Sequence, residues 1–142
     1  MSRTYIPKVL KRLVRKRAND CCEYCGYPES LAYYAHHIDH IISEKHGGPT
    51  HENNLALACR TCNLKKGSDI ATLIDTDPPV VRLYHPRFDR WSKHFVLVNA
   101  SIQPLTRIGY GTALLLQFNE EKRLYERELL VEQGLWLAPG NK

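Results

Sequence analysis

The sequence predicts an α+β fold: a strand–loop–strand–helix core stapled by four cysteines, with a basic helix before it and a hairpin-plus-helices extension after it. Three observations carry this expectation. Two Cys-x-x-Cys knuckles, Cys22-Glu-Tyr-Cys25 and Cys59-Arg-Thr-Cys62, stand 33 residues apart. Between them, the β-branched Ile38, Ile41 and Ile42 and the apolar run from Leu55 read as two short strands around a turn-rich loop over residues 43–53. Outside them, apolar residues recur at helical spacing.

Taken in order, the first element is a basic helix within residues 1–20. Pro7 suits a first helical position; Val9, Leu10, Leu13, Val14 and Ala18 form one face, and Lys8, Lys11, Arg12, Arg15 and Lys16 the other. Residues 1–20 hold seven Lys/Arg, Arg3 among them, against Asp20 alone, so this arm carries +6 of a net +5 and the rest of the chain −1. Charge concentrated in this way fits a polyanionic partner, although a merely solvated surface helix has the same pattern. Residues 26–34 are turn-rich, and a helix is expected from Asn63 to about Leu73. Asp75-Thr-Asp-Pro-Pro79 breaks the chain. Phe95–Asn99 and Ile102–Leu105 predict a hairpin, residues 109–118 a helix, and residues 120–133 a last helix with Asn119 to cap it and Gly134 to end it. The expected organisation is one domain over 1–142, with a core at 21–74 and a packing extension at 80–135.

With 43% hydrophobic and 25% charged residues, the chain is neither low-complexity nor membrane-like, and no apolar run approaches the ~20 residues that cross a bilayer. No apolar stretch follows the basic start as in a secretory signal, so a cytoplasmic location is expected. In a reducing compartment, paired Cys-x-x-Cys motifs are more often metal ligands than disulfides. Cys22, Cys25, Cys59 and Cys62 would complete a tetrahedral structural zinc shell. Cys21 falls outside that spacing and reads as a spare thiol. A thioredoxin-like redox site would need one such motif opening a helix after a strand, and here there are two. A zinc-stapled platform that carries Asp39-His40 and nearby Asn residues points to a metal-dependent phosphodiesterase.

The stretch over roughly residues 18–68 resembles the HNH nucleases, the ββα-metal family. The residues that carry the resemblance are Cys22-Glu-Tyr-Cys25, His37-Ile-Asp-His-Ile-Ile42, His46-Gly-Gly-Pro49, Asn54-Leu-Ala-Leu-Ala-Cys-Arg-Thr-Cys-Asn63 and Lys66-Gly67. Residues 86–95 also look like an extension found in bacterial members. The resemblance implies that His40 is the general base that takes a proton from the attacking water, a task for which an imidazole is suited near neutral pH. It implies that Asp39 and Asn63 hold the catalytic ion; their oxygens form a hard set, which favours Mg²⁺ or Mn²⁺ over a second zinc. Asn63 stands where many relatives have His, and it is also a good helix N-cap residue. Asn54, rather than its neighbour Asn53, matches the middle Asn that ties down the loop. Ser43 replaces the family's usual Pro.

His37 shares a strand face with Asp39 and reads equally as an additional ligand, a phosphate contact or a half-buried polar residue. Arg12, Arg15, Lys16, Arg60, Lys65 and Lys66 are the candidate nucleic-acid contacts, each also explicable by surface solvation. The resemblance further implies hydrolysis of DNA, double-stranded by preference, to 5′-phosphate and 3′-hydroxyl ends. The competing expectation is a non-catalytic, zinc-stapled module that binds nucleic acid through the basic helix.

Overall fold

A computed structural model describes residues 4–140, and residues 1–3, which include Arg3, lie outside the described range. At its centre is an antiparallel hairpin of β1 (His37–His40) and β2 (Leu55–Ala58), in which Asp39 faces Ala56 and His40 faces Leu55. All four residues of β2 are buried because both faces of the hairpin are covered. Leu55 and Leu57 pack with Ile38 against α1 (Lys8–Arg17). Ala56 and Ala58 belong to the larger core on the other face, with the cysteines. Small side chains there allow α2 (Arg60–Lys66) to lie close to the strands.

The basic helix is shorter than the 1–20 expectation, and only part of its apolar face is used. Leu10, Val14 and Ala18 pack on the hairpin, whereas Val9 is 68% exposed and Leu13 lies at the rim. The helix expected over residues 63–73 starts three residues earlier, inside the second knuckle, and ends at Gly67. The Cys59 side chain accepts the Cys62 N–H at 3.5 Å and caps it. A Gly at φ +52 and the demands of the sulfur cluster thus set both ends, and periodicity sets neither.

Residues 71–73 form β3, which pairs with β4 (Val80–Arg82), so the expected break at Asp75–Pro79 is the loop of a second hairpin. Three-residue strands carry too little alternation to be read in advance. The short α3 (Trp91–His94), also unanticipated, leads into the expected hairpin of β5 (Phe95–Val98) and β6 (Ser101–Pro104). Asn99, at φ 56, makes its tight turn. α4 (Arg107–Leu115) and α5 (Glu121–Glu132) close the fold. Asn119 does not cap α5 as expected; its amide both accepts from the Ile102 N–H and donates to the Ile102 carbonyl, at 2.9 and 2.8 Å, which clamps β6.

The extension is built onto the core. Trp91, Phe95, Ile102, Leu116, Phe118 and Trp136 share one buried cluster with Tyr24, Cys22 and Cys25. The Trp91 indole donates to the Tyr24 carbonyl at 2.8 Å and the Trp136 indole to the Cys25 carbonyl at 3.1 Å, so two residues of the extension satisfy the backbone of the first knuckle. Arg82 and Asp89 form a two-pronged pair at 2.7 and 2.9 Å, and Asp89 also accepts the His85 N–H at 2.8 Å.

These donors, Arg82 first, hold the Asp89 carboxyl down to about 2 from an ordinary 3.8. A depressed carboxylate adds stability above its unfolded pKa and loses it as pH falls through the folded one. Asp89→Asn is therefore expected to lower stability by about 1 kcal/mol at pH 7, a value discounted because Arg82 is half exposed. The variant should also flatten the fall in stability between pH 4 and 2 by roughly the same amount, measured by chemical denaturation across pH.

Candidate active site and metal centre

The cysteine cluster follows from how the two knuckles hang on β2. Glu23, inside the first knuckle, donates its N–H to the Leu57 carbonyl at 2.8 Å and accepts the Leu57 N–H on its carboxylate at 2.8 Å. That ties the first knuckle alongside the strand whose end continues into the second. The sulfurs of Cys22, Cys25, Cys59 and Cys62 consequently lie within 4.8 Å of one another, all buried. Cys25 and Cys59 stand 3.7 Å apart, far beyond a disulfide bond of about 2.0 Å. Zinc–sulfur bonds of about 2.3 Å at tetrahedral angles separate the sulfurs by about 3.8 Å. The donor set therefore fits one zinc ion. Burial pushes the Cys22 thiol well up, and a bound cation would reverse that by favouring the thiolates.

The strand alternation of β1 divides the remaining candidates. His37 and Asp39 point with Ala58 and Ala56 toward α2, whereas His40 points with Leu55 to the other side. Asp39 is 6% exposed and held by two side chains. The Tyr24 hydroxyl donates to its Oδ2 at 2.7 Å, and Lys66 Nζ lies 3.2 Å from Oδ2 and 3.4 Å from Oδ1. Lys66 also donates to the His40 carbonyl at 3.2 Å. Burial raises the Asp39 pKa, and the Lys66 ammonium and Tyr24 hydroxyl pull against it. A carboxylate has about four lone-pair positions, so these donors leave acceptor capacity for a hard cation on the α2 side.

Lys66 is thus not the surface phosphate contact expected from the sequence: at 2% exposure it is a buried partner of Asp39. Asn63, half-buried one turn before it on the same face of α2, is not an N-cap, since Cys59 holds that position. His37 is half-buried on β1, on the face that α2 covers.

His40, 7% exposed, has Nε2 at 2.9 Å from Thr50 Oγ1. Thr50 belongs to the loop between the strands, and Asn54 holds that loop. Its Oδ1 accepts the Ile42 N–H, and its Nδ2 donates to the Ile42 and Pro49 carbonyls, all at 2.9 Å. Gly48 sits inside this clamp, where an added Cβ would fall 1.7 Å from the Ile42 carbonyl oxygen. Asn53 is exposed and outside it.

The cationic candidates divide as well. Arg12, Lys16 and Lys65 are exposed. Arg15 is tied to Glu29 at 3.3 Å and to the His36 carbonyl at 3.4 Å, so it fastens α1 to the loop before β1 and is not a free phosphate contact. Arg60 is exposed at the start of α2, with its guanidinium 4.2 Å above the Tyr34 ring. Three contacts were invisible in the sequence. Tyr24 touches Asp39, Thr50 touches His40, and Arg123, 61 positions away, donates to Cys62 Sγ at 3.2 Å.

A family model of the HNH endonucleases matches residues 22–69, the stretch that contains both knuckles, both strands and α2. Residues 22–69 thus carry an HNH endonuclease domain. No curated protein and no solved structure matches it. The HNH domain marks nuclease or nucleic-acid-related chemistry, and no helix among the described residues is long and apolar enough to cross a membrane.

Lys66→Met would strand the Asp39 carboxylate in the core. We expect it to cost about 3–5 kcal/mol in denaturant unfolding, and Asp39→Asn combined with Lys66→Met to recover most of that. Equal stability of the single and double variants would disprove the pairing.

Proposed function

We propose that this HNH protein is a metal-dependent endonuclease that hydrolyses phosphodiester bonds in double-stranded DNA, leaving 5′-phosphate and 3′-hydroxyl ends. The observation that supports it most is the joint restraint of β1 and its following loop. His40 ends the strand on Thr50, and Asn54 holds the loop that carries Thr50 through three hydrogen bonds. Packing alone does not call for a histidine ring held by a hydroxyl beside a carboxylate that is itself oriented from two sides.

In this reading the ring nitrogen of His40 not engaged by Thr50 takes the proton from the attacking water, and Thr50 keeps the ring from turning away. Asn54 acts at one remove by fixing the loop. Asp39 and Asn63 would hold the Mg²⁺ or Mn²⁺ ion, with His37 as a further ligand or phosphate contact, and such an ion, when bound, stabilises charge on the scissile phosphate and the leaving oxygen. Tyr24 and Lys66 set the direction of the Asp39 carboxylate. Arg12 and Lys16 on α1, with Arg60 and Lys65 on α2, supply exposed positive charge for the backbone of the duplex. The four cysteines would carry zinc as a staple only, remote from the substrate.

A second reading, a zinc-stapled module that binds nucleic acid without cutting it, draws support from one observation. Asp39 and His40 are both nearly buried and point to opposite sides of the hairpin.

Plasmid cleavage separates the two. Purified protein with Mg²⁺ or Mn²⁺ is expected to nick or linearise supercoiled DNA, EDTA to stop it, and His40→Ala to reduce the rate roughly 10²- to 10⁴-fold with zinc content and fold retained. Salt-sensitive binding with no cleavage under any ion would establish the second reading instead.

A further inference from the structure

The inward face of α5 departs from what an amphipathic helix normally buries. Positions 123, 127, 130 and 131 follow the helical repeat that faces a core, yet two of them are Arg123 and Arg127, beside Leu130 and Val131. Arg127 is fully buried and reaches no sulfur: it donates to the Ala100 carbonyl, at 2.6 Å to the Phe118 carbonyl and at 3.2 Å to Asn119 Oδ1, and its Nη1 meets no hydrogen-bond partner. Arg123 is different. One arm of its guanidinium donates to the Leu116 and Gln117 carbonyls at 2.6 and 3.2 Å, and the other reaches Cys62 Sγ at 3.2 Å.

The charge of the sulfur cluster explains why a cation belongs there. Four thiolates around one divalent ion carry a net charge of −2, and a buried anion without compensation is costly. Two backbone N–H groups point at sulfurs, Cys25 to Cys22 at 3.4 Å and Cys62 to Cys59 at 3.5 Å. Among the described residues, Arg123 is the charged side chain that hydrogen-bonds to a ligand sulfur. The indole of Trp136, just beyond the same helix, donates to the Cys25 carbonyl at 3.1 Å and so engages the other knuckle.

We propose that Arg123 is a positioning residue of the zinc centre, and that docking of α5 and zinc retention are one coupled equilibrium: the C-terminal helix supplies the counter-charge that holds the ion, and the loaded cluster holds the helix. This rests on the four-cysteine zinc reading and is independent of whether the protein cuts DNA. It assigns the extension, which lies beyond the HNH match, a part in the metal centre.

The test uses the full chain loaded with zinc, as wild type and as Arg123→Gln, Arg123→Lys and Leu130→Ala. Leu130 is half-buried on the same helix against the same core, so its truncation loosens the packing of α5 without touching a sulfur. Zinc release to a chromophoric chelator is expected to be roughly ten- to a hundredfold faster for Arg123→Gln. Arg123→Lys, which keeps the charge, should fall between Arg123→Gln and wild type, and Leu130→Ala, which loosens α5 but keeps the guanidinium, should speed release by less than Arg123→Gln. Hydrogen exchange of the α5 amides is expected to rise when zinc is stripped from the wild type. Release from Arg123→Gln at the wild-type rate, equal release from Leu130→Ala and Arg123→Gln, or an α5 that stays protected without zinc would each overturn the proposal. Wild-type protein that binds no zinc would overturn the four-cysteine reading beneath it, and metal content shows that failure separately.

Discussion

Four buried sulfurs that must share one small volume are the constraint on which the rest of the structure depends. A short hairpin of four-residue strands has little stability alone. Here it gains a cross-link at one end, because the first knuckle is bonded along β2 and the second grows directly out of it. That geometry sets the entry angle of α2, and α2 in turn delivers Asn63 and Lys66 to the face of β1 that carries Asp39. The metal centre and the candidate active site are therefore two consequences of one connection, the junction of β2 and α2 at Cys59.

Packing on the opposite face divides the labour. Leu55 and Leu57 seat α1, while Ala56 and Ala58 leave room for α2 and the cysteines. The alternation that buries β2 on both sides also separates Asp39 from His40, which share a peptide bond yet serve different environments. Asp39 belongs to a charge-paired interior with Tyr24 and Lys66. His40 belongs to the loop side, where Thr50 and the Asn54 clamp decide its orientation. The Lys66 ammonium touches both residues, since it bonds the Asp39 carboxylate and the His40 carbonyl.

The extension stabilises the core chiefly by completing it. Its indoles cap carbonyls of the first knuckle, its aromatic residues surround Tyr24, and its last helix brings a guanidinium to the sulfur cluster. An element read as a packing appendage thus satisfies polar groups that the segment 22–69 leaves open. A buried carbonyl or thiolate needs a donor, and the nearest suitable ones lie more than sixty residues later in the chain.

Much of the core was legible from residue order, because the signals there are local. Knuckle spacing marked the four sulfurs, β-branched residues marked β1, the apolar run marked β2, and the adjacent runs Phe95–Asn99 and Ile102–Leu105 marked the hairpin of β5 and β6. Local signals failed where a neighbour distant in sequence decided the outcome. The sulfur cluster and Gly67, rather than periodicity, bounded α2. β3 and β4 were too short to carry a pattern and exist by pairing with each other. Asn119 was drawn from helix capping to clamp Ile102, Arg15 to Glu29, and Lys66 from solvent to Asp39. The sequence by itself determined the four-cysteine spacing and the HNH domain, since ligand spacing and side-chain type are properties of order along the chain. Only the tertiary structure decided which candidates meet, because a side chain's partner depends on burial and on charge neutralisation across space.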